Sequence, residues 1–458
     1  MTEVVFITPS RDWEAERKWI LERRVNPDIP NQESPHIGIA GMMAVLEERH
    51  IQTEHLDMVK TGFRIDDVAD RIASDPPLLV GFTAYTVQVR AAADVARAVK
   101  NACPGVTVCI GGPHASVIPG RTLQEFPAFD FVVSGEAERV LPQAIEALRQ
   151  GWNPIGIRGI SVRGVDVSPE WDPILDPDTL PFPAWEKYDL NRYGGVYPHR
   201  TARELPMVSG RGCPYRCVFC SRALGDRVRR RSVANVIAEI RRNIEEFDCT
   251  SISFLDDTFA IGQSWISEFL AAMISEGLNR EVTWSCETRV DTVTPDLLRK
   301  MEAAGCYYIF YGIEGADEEV LRTARKEYTV NQIRNAIRWT KEAGIVPSGA
   351  FIIGLPGDTE ATVMKAVELG HELELFSITF PLAVPFPGTE LREMALRGEY
   401  GMRIMSDDWD DYGKQEPGVL ESEAMSWDKR RELQTLAYAV HPKKDYDTYR
   451  SRLLSGGS

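Results

Sequence analysis

The feature that most constrains the fold is an alternation of short apolar runs with helix-like stretches, which occurs in two separate blocks. In the first block, residues 1–150, the apolar runs cover 4–8, 53–56, 78–83, 107–110 and 129–134. Strands this apolar, each followed by a helical pattern, predict a parallel sheet that is covered on both faces. We therefore expect a Rossmann-like, doubly wound α/β domain, with its ligand site beyond the carboxyl ends of the strands.

The second block, residues 203–390, repeats the alternation with a larger number of units. Its apolar runs cover 205–209, 251–255, 282–286, 307–313, 348–353 and 378–384, and its helical patterns cover 233–246, 264–275, 295–304, 330–343 and 360–374. A complete barrel of this kind has eight strand–helix units. The six units found here predict a partial (β/α)6 barrel, again with its chemistry at the carboxyl ends of the strands.

Two further segments complete the predicted organisation. Residues 151–202 are rich in Pro, Asp and Trp, and because proline interrupts both helices and strand ladders we interpret them as a linker. Residues 391–458 are acidic and have a helical pattern. The expected order is an N-terminal domain, a linker, a partial barrel and a short helical C-terminal segment.

Composition excludes several classes of function. The chain of 458 residues has a formal net charge of -16, so it lacks the basic surplus that a nucleic-acid partner requires. No apolar run is long enough to span a bilayer. The N-terminal residues lack the basic-then-apolar order of a signal peptide, so we expect a cytoplasmic protein without nucleic-acid or membrane partners.

Three of the eight cysteines lie close together in the order CxxxCxxC, at Cys213, Cys217 and Cys220. In a cytosolic protein such a group indicates a metal site rather than disulfides. Tetrahedral zinc sites use paired CxxC elements with a fourth ligand, which does not follow here at a suitable spacing. Three thiolates on a [4Fe-4S] cluster leave one iron open for S-adenosyl-L-methionine (SAM). A zinc or purely structural role is the alternative.

The segment 203–390 resembles the core of the radical SAM enzymes that carry an N-terminal B12-binding-type domain. Members of this family use the cluster to cleave SAM to a 5′-deoxyadenosyl radical. The resemblance rests on the CxxxCxxC loop, FLDDTFA (254–260), WSCETRVD (284–291), YGIEGADEEVL (311–321) and FIIGLPGDTEA (351–361). It implies that the following residues contact SAM: Phe219, Asp256, Asp257, Arg289, Glu314 and Ile353.

Three of these implied contacts, those of the aspartates, Arg289 and the backbone near Ile353, have a structural alternative. Asp256 or Asp257 would face the SAM amino group, but either would also serve as the N-cap of the next helix. Arg289 would face the SAM carboxylate, and a salt bridge to Glu287 or Asp291 is the alternative. The backbone near Ile353 would approach adenine, although a simple turn would need the same glycines.

The N-terminal block resembles a cobalamin-binding domain in GGPHA (111–115) and FDFVVSGEAERVLP (129–142), which implies Gly111, Gly112 and His114 as loop residues near the cofactor. The family members that ligate cobalt through histidine have DxHxxG, whereas this chain has Val59 at the histidine position. Valine cannot ligate a metal. We therefore favour a domain that keeps the fold without cobalamin, with cobalamin binding as the alternative.

Two reactions fit these features. The favoured one is hydrogen abstraction from a polar small molecule followed by dehydration or deoxygenation, as in the radical SAM dehydratases of aminoglycoside antibiotic biosynthesis, which this chain resembles. A nicotinamide-dependent dehydrogenase would then process the product. The alternative is cobalamin-dependent methyl transfer to an unactivated carbon, and a non-catalytic cluster-binding protein is a third possibility.

The resemblance also implies a flavodoxin- or ferredoxin-type electron donor. A basic run follows the cysteines directly, at Arg222, Arg227, Arg229, Arg230 and Arg231. A basic face would steer an acidic donor towards the cluster. Ion pairing of these arginines with the protein's own carboxylates is the alternative.

Overall fold

The computed structural model describes residues 2–10, 34–165, 170–194, 203–414, 418–442 and 444–455. Two six-stranded sheets organise these residues, one in the N-terminal part of the chain and one in the central part. Among the described residues, no helix combines the length and apolarity that crossing a membrane would require.

The N-terminal sheet has the strand order β2-β1-β3-β4-β5-β6, in which the first five strands are parallel. Its strands are β1 (Val4–Thr8), β2 (Thr53–Asp57), β3 (Leu79–Thr83), β4 (Thr107–Gly111), β5 (Phe131–Val133) and β6 (Ile160–Val162). Helices cover it at Ile37–Glu47, Met58–Thr61, Ile65–Ser74, Val89–Ala102, Pro113–Val117, Pro119–Glu125 and Val140–Arg149. The order 2-1-3-4-5 is that of a doubly wound sheet, and its switch point lies between β1 and β3. The predicted fold of this domain is confirmed.

The proline-rich connecting segment contributes one strand that its composition did not predict. Strand β6 pairs antiparallel with β5 and forms one edge of the N-terminal sheet. An edge strand needs only one hydrogen-bonded partner, so prolines nearby do not prevent it. Residues 166–169 and 195–202 of this segment lie outside the described ranges.

The central sheet is parallel throughout and follows the chain order, which is the arrangement of a barrel that stays open. Its strands are β7 (Glu204–Met207), β10 (Ser251–Phe254), β11 (Thr283–Thr288), β12 (Cys306–Glu314), β13 (Val346–Phe351) and β14 (Ile378–Thr379). Helices cover its outside at Val233–Phe247, Gln263–Ser275, Pro295–Ala303, Glu318–Thr323, Val330–Glu342 and Glu360–Glu372. The predicted partial barrel is confirmed.

A short antiparallel ribbon interrupts this alternation after β7. It consists of β8 (Gly210–Arg211) and β9 (Arg229–Arg230), and it closes the loop that carries the three clustered cysteines. Two-residue strands of this kind leave too weak a pattern to be found in the sequence.

The C-terminal segment contains the helices Glu390–Leu396, Trp427–Val440 and Tyr446–Leu454. It also contains a small ribbon of β15 (Arg403–Ile404) and β16 (Leu420–Glu421). Trp409 of this segment is buried against the N-terminal domain, where its indole nitrogen donates a hydrogen bond to Glu125 at 2.6 Å. The C-terminal segment therefore packs against the N-terminal domain as well as against the barrel.

Candidate active site

The cysteine loop begins where β7 ends, at the carboxyl edge of the central sheet. The ribbon of β8 and β9 holds its two ends, and Gly212 has a φ of +89° at which a Cβ would lie 2.4 Å from the carbonyl oxygen of Arg227. The Cys213 sulfur lies 3.7 Å from the Thr258 hydroxyl, and the Cys217 sulfur lies 3.8 Å from Arg289 Nη1. The third thiol, that of Cys220, is exposed.

The donor set of this loop fits a cuboidal iron–sulfur cluster, in which each thiolate binds a different iron. The pKa of Cys217 falls to about 6, first because Cys220 hydrogen bonds to its sulfur and also because Lys326 and Arg289 lie nearby. A lowered pKa favours the thiolate, which is the form that binds metal. Within the described ranges, no three His, Cys, Asp or Glu side chains are grouped to hold a single metal ion.

Glu314, at the end of β12, faces the cysteine loop from within the barrel. It is buried and forms an ion pair with Lys326, whose Nζ lies 3.0 Å from its Oε1. The same ammonium group lies 5.5 Å from the centre of the Phe219 ring. The sequence-predicted residues Phe219 and Glu314 are therefore brought together by a lysine that the sequence argument did not single out.

Arg289 follows β11 and is also buried. Its guanidinium lies 3.7 Å from the centre of the Tyr215 ring, and it donates two hydrogen bonds to the Asp291 carboxylate at 2.9 and 2.8 Å. The salt-bridge alternative for Arg289 is thus present, yet the side chain still borders Cys217. A planar guanidinium held between a ring and a carboxylate is fixed in orientation.

The two aspartates after β10 occupy different environments. Asp256 is buried and accepts hydrogen bonds from the Ser209 backbone at 3.0 Å, the Ser209 hydroxyl at 2.7 Å and Arg230 at 3.0 Å. Burial raises the pKa of Asp256 despite these partners. Asp257 lines the cavity between the two domains, and its pKa is raised by burial and by the neighbouring charge of Asp256. Of these two aspartates, Asp257 lines the cavity and Asp256 does not, so Asp257 is the one placed to contact a ligand there.

Ile353 follows β13 and is buried beside Glu314 in a small pocket under the loop 352–358. Its backbone nitrogen and oxygen both bond to the segment after β14, through the carbonyl oxygen of Pro381 at 2.9 Å and the nitrogen of Ala383 at 2.8 Å. The strand ends that carry Glu314 and Ile353 are thus adjacent, as the order of the central sheet requires.

A cavity of about 350 Å³ lies between the two domains, within the size range of cofactor sites. Its N-terminal wall is formed mainly by strand ends and by the first helix, including Phe6, Gly38, Gly41, Met42, Gly81, Thr83, Gly111, Gly112 and Gly135. Its opposite wall includes Gly210, Arg211, Arg231, Glu239 and Asp257 from the barrel domain. The carboxyl ends of the N-terminal sheet and of the central strands β7 and β10 therefore open onto one space.

Buried ion pairs join the two domains at the edge of this cavity. Glu136 pairs with Arg211 at 2.7 Å and with Arg229, and its side chain is 1% exposed. Glu138 pairs with Arg211 at 2.6 Å. Both carboxylates belong to the N-terminal motif SGEAE, and both arginines belong to the ribbon that closes the cysteine loop.

The same contacts correct the prediction of a docking face for an electron donor. Arg229 pairs with Glu136, Arg230 with Asp256 at 3.0 Å and Arg231 with Glu239, and all three side chains are largely buried. A buried, paired arginine cannot steer an approaching protein, so this part of the docking hypothesis is wrong. Arg222 and Arg227 are exposed.

His114 does not line the cavity, unlike its neighbours Gly111 and Gly112. It lies in the helix Pro113–Val117, where its ring meets Trp409 edge-on at 4.9 Å and its Nδ1 lies 3.3 Å from the Thr86 hydroxyl. Burial lowers the pKa of His114 to about 4. A neutral histidine in this position contributes to packing between the N-terminal domain and the C-terminal segment.

The sequence argument missed Lys326, Tyr215 and Glu136. Lys326 and Glu136 lie in charged stretches that are typical of solvated surfaces, and only the fold shows that they are buried. Tyr215 is one of the three residues between Cys213 and Cys217, and nothing in the cysteine spacing indicates that it stacks on Arg289.

Comparison with known proteins identifies both domains. Residues 207–370 match the model of the radical SAM superfamily, and residues 30–145 match that of the B12 binding domain. An uncharacterized methyltransferase of Pyrococcus horikoshii is 31% identical over 391 residues, covering 84% of this chain and 82% of that protein. The anaerobic magnesium-protoporphyrin IX monomethyl ester cyclase of Rubrivivax gelatinosus is 27% identical over 380 residues, covering 81% of this chain and 66% of that protein.

A solved structure shows the same fold. It is that of the radical S-adenosylmethionine methyltransferase TsrM from Kitasatospora setae, with cobalamin and a [4Fe-4S] cluster bound. The TM-score is 0.72 at 18% sequence identity, and the match covers 99% of this chain and 95% of that chain.

These comparisons overturn two of the sequence-based expectations. The expected lack of cobalamin is wrong, because residues 30–145 match the B12 binding domain and the fold is that of a cobalamin-bound enzyme. The expected dehydration or deoxygenation of an aminoglycoside is also wrong, because the similar proteins include methyltransferases. The resemblance to antibiotic dehydratases gains no support, whereas the prediction of a radical SAM enzyme with a B12-type domain is confirmed.

Proposed function

The chain belongs to the radical SAM superfamily and carries an N-terminal B12 binding domain, and from this premise we propose that it is a cobalamin-dependent methyltransferase acting on a small molecule. The observation that carries the proposal is the cavity onto which the carboxyl ends of the N-terminal sheet and of the central strands β7 and β10 open. In α/β folds these ends are where ligands bind. A cofactor held by one sheet would therefore lie beside a substrate and SAM held by the other.

The N-terminal wall of the cavity fits a large, flat cofactor. Glycines form much of it, and a Cβ added at Gly41 would meet nothing within 4 Å, so that it would project into open space. Side chains there would keep a macrocycle away from the strand ends, whereas glycines let it approach the backbone. Cobalamin, when bound, supplies the carrier of the methyl group. Val59 supplies no ligand to its cobalt.

On the barrel side we assign the three cysteines to the cluster and propose a SAM site around them. Phe219, Glu314 and Ile353 border one side of this site, and Arg289 borders Cys217 on another. Asp257 is the aspartate that faces the cavity, whereas Asp256 is occupied by Ser209 and Arg230. We therefore propose Asp257 rather than Asp256 as the ligand-contacting carboxylate.

The cluster must be reduced before SAM is cleaved, and we propose a flavodoxin- or ferredoxin-type protein as the electron source. Cys220 is an exposed residue, and we propose that it marks the side of the loop that such a donor can approach. Arg222 is exposed on the same loop. The nicotinamide-dependent dehydrogenase was required only by the dehydration hypothesis and is not part of this proposal.

Ring closure is the second candidate reaction, because the Rubrivivax gelatinosus relative is named as a cyclase. Methyl transfer moves the SAM methyl group to the product, whereas ring closure does not. The label in methyl-deuterated SAM therefore separates the two reactions.

The test begins with anaerobic reconstitution of the full chain with iron, sulfide and cobalamin, followed by absorbance spectra. We expect cobalamin to stay bound through gel filtration, and a trideuteromethyl group to appear in a product when methyl-deuterated SAM and a metabolite extract are supplied. The Cys217→Ala variant is the matched control, since it should keep cobalamin and lose the label transfer. Failure to retain cobalamin, or products without label, would contradict the proposal.

A further inference from the structure

Lys326 is a buried cation next to the cysteine loop, and nothing in the sequence motifs assigns it a role. Its side chain is 5% exposed and its Nζ lies 3.0 Å from Glu314 Oε1. The ammonium group also faces two aromatic rings, at 5.5 Å from the centre of Phe219 and 5.7 Å from that of Tyr328. A lysine is almost never buried in this way unless it is paired.

The segment that carries Lys326, residues 324–328, contacts three parts of the candidate SAM site: the cysteine loop, Arg289 and the end of β12. The backbone nitrogen of Val218 donates to the carbonyl oxygen of Ala324 at 3.2 Å, which ties the segment to the cysteine loop. Arg289 Nη2 donates to the carbonyl oxygen of Lys326 at 2.5 Å. The Tyr328 hydroxyl donates to the carbonyl oxygen of Gly312 at 2.6 Å, close to Glu314.

The backbone around Lys326 is strained. Arg325 and Glu327 both have a φ of 57°, and the ion-pair partner Glu314 has a φ of 65°. Residues other than glycine rarely adopt this left-handed conformation, which costs free energy at each position. Such strain persists only where the surrounding contacts over-determine it, and it concentrates at functional sites.

Lys326 stays charged although it is buried. Burial opposes the charge of Lys326, but Glu314 and the other groups around it hold the pKa of the lysine above its ordinary value. Its ammonium group lies 5.5 Å from the ring of Phe219, the residue directly before Cys220. Lys326 is thus a fixed positive charge beside both Glu314 and the cysteine loop.

We propose that Lys326 is a positioning residue that holds Glu314 in place for SAM and stabilises the reduced cluster electrostatically. Reduction adds one negative charge to the cluster, and a positive charge held nearby in a medium of low dielectric constant favours that state. The proposal rests on the cluster and the SAM site alone, and it stands whether or not the chain transfers a methyl group.

The test compares reconstituted Lys326→Met with the parent protein and with Lys365→Met. Lys365 is the matched control, because it also forms an ion pair with a carboxylate, Asp317, but is 56% exposed. The reduced fraction is measured by electron paramagnetic resonance at the potential where half of the parent cluster is reduced. At that potential we expect the ratio of reduced to oxidised cluster in Lys326→Met to be about tenfold lower. This corresponds to a reduction potential lowered by about 59 mV. We also expect the Kd for SAM, measured by equilibrium dialysis, to rise about tenfold, and Lys365→Met to match the parent.

The Glu314→Gln variant should shift the reduction potential of the cluster in the opposite direction. It leaves the Lys326 charge without its partner, so we expect more reduced cluster than in the parent at the same potential, together with weaker SAM binding. If Lys326 and Glu314 only supported the packing of the site, the variants Lys326→Met and Glu314→Gln would not shift the potential in opposite directions. Lys326→Met with normal iron content and an unchanged potential would overturn the proposal. If that variant does not hold iron, an unchanged or lowered reduced fraction in Glu314→Gln overturns it.

Discussion

Replacement of Glu136 by alanine tests whether the buried ion pairs between the domains hold the site together. In the parent protein the Glu136 carboxylate accepts from Arg211 at 2.7 Å, from Arg229 and from the backbone nitrogen of Ile174 at 2.8 Å. Removing one partner of a buried pair costs about 3–5 kcal/mol, because it leaves a charge without compensation. In the variant, Arg211 would still pair with Glu138 at 2.6 Å, and Arg229 would still donate hydrogen bonds to two carbonyl oxygens. The lower end of the range of about 3–5 kcal/mol therefore applies here.

We therefore expect Glu136→Ala to lower the apparent free energy of unfolding in urea by about 3 kcal/mol. Iron content should fall as well, since Arg211 lies two residues before the first cluster cysteine, Cys213. The matched control is Glu146→Ala. In the parent, the Glu146 side chain is 58% exposed and its carboxylate lies 3.7 Å from Arg149. Its removal should change the free energy of unfolding by less than about 0.5 kcal/mol. A loss below about 1 kcal/mol for Glu136→Ala, with full iron content, would refute this reasoning.

Three further predictions address the cluster, the cofactor site and the dependence on pH. Alanine at any one of the three cluster cysteines should abolish cluster absorbance and SAM cleavage, whereas Cys249→Ala, at a buried free thiol, should keep its iron. Gly112→Ala should weaken cobalamin binding measured by absorbance titration, because its φ is +89° and its Cβ would lie 2.8 Å from backbone, while Gly105→Ala, where a Cβ meets nothing within 4 Å, should not. Burial lowers the pKa of His55 to about 3, so stability is present above its unfolded pKa near 6.5 and is lost as pH falls towards 3. The free energy of unfolding, measured by urea denaturation at each pH, should thus fall by about 1–2 kcal/mol less between pH 7 and pH 5 in His55→Asn than in the parent or in a variant of the exposed His50.

The secondary structure could be predicted from the sequence because periodicity and burial agree along both sheets. Strand β3 (LVGFT) and strand β10 (SISF) are apolar or small throughout, as strands covered on both faces must be. The ribbon of β8 and β9 and the edge strand β6 could not be predicted, since two or three residues carry no usable period.

The candidate site was only partly predictable, because charged residues give no sign of their burial in a sequence. The basic run after the cysteines has the composition of an exposed face, yet Arg229, Arg230 and Arg231 are paired within the fold. Lys326 lies in a charged stretch and is nevertheless almost fully buried. Whether a charge is paired depends on residues far away in the chain, such as Glu136, which is 93 positions from Arg229.

The expectation that the N-terminal domain lacks cobalamin was wrong for a related physical reason. Val59 removes one potential metal–ligand bond, and the sequence argument gave that single position great weight. Most of a bound cofactor's surface is instead buried against the walls of its site. Here those walls are the strand ends and the first helix, including Gly81, Gly111 and Gly112, and these are present. The loss of one ligand therefore says little about binding when the surface that contacts the rest of the cofactor is retained.

Arg211 links the two halves of the proposed mechanism. It lines the cavity shared by the domains, bonds to the two carboxylates of the N-terminal SGEAE motif, and lies in the ribbon that closes the cysteine loop. A shift of the N-terminal domain relative to the barrel would pull on these buried bonds and hence on the start of the cluster loop. Because breaking a buried pair is costly, the ion pairs hold the cofactor domain and the cluster loop in one relative position. The proposed methyl transfer would need that constraint, since its reacting groups would be held by different domains and would have to meet with little positional error.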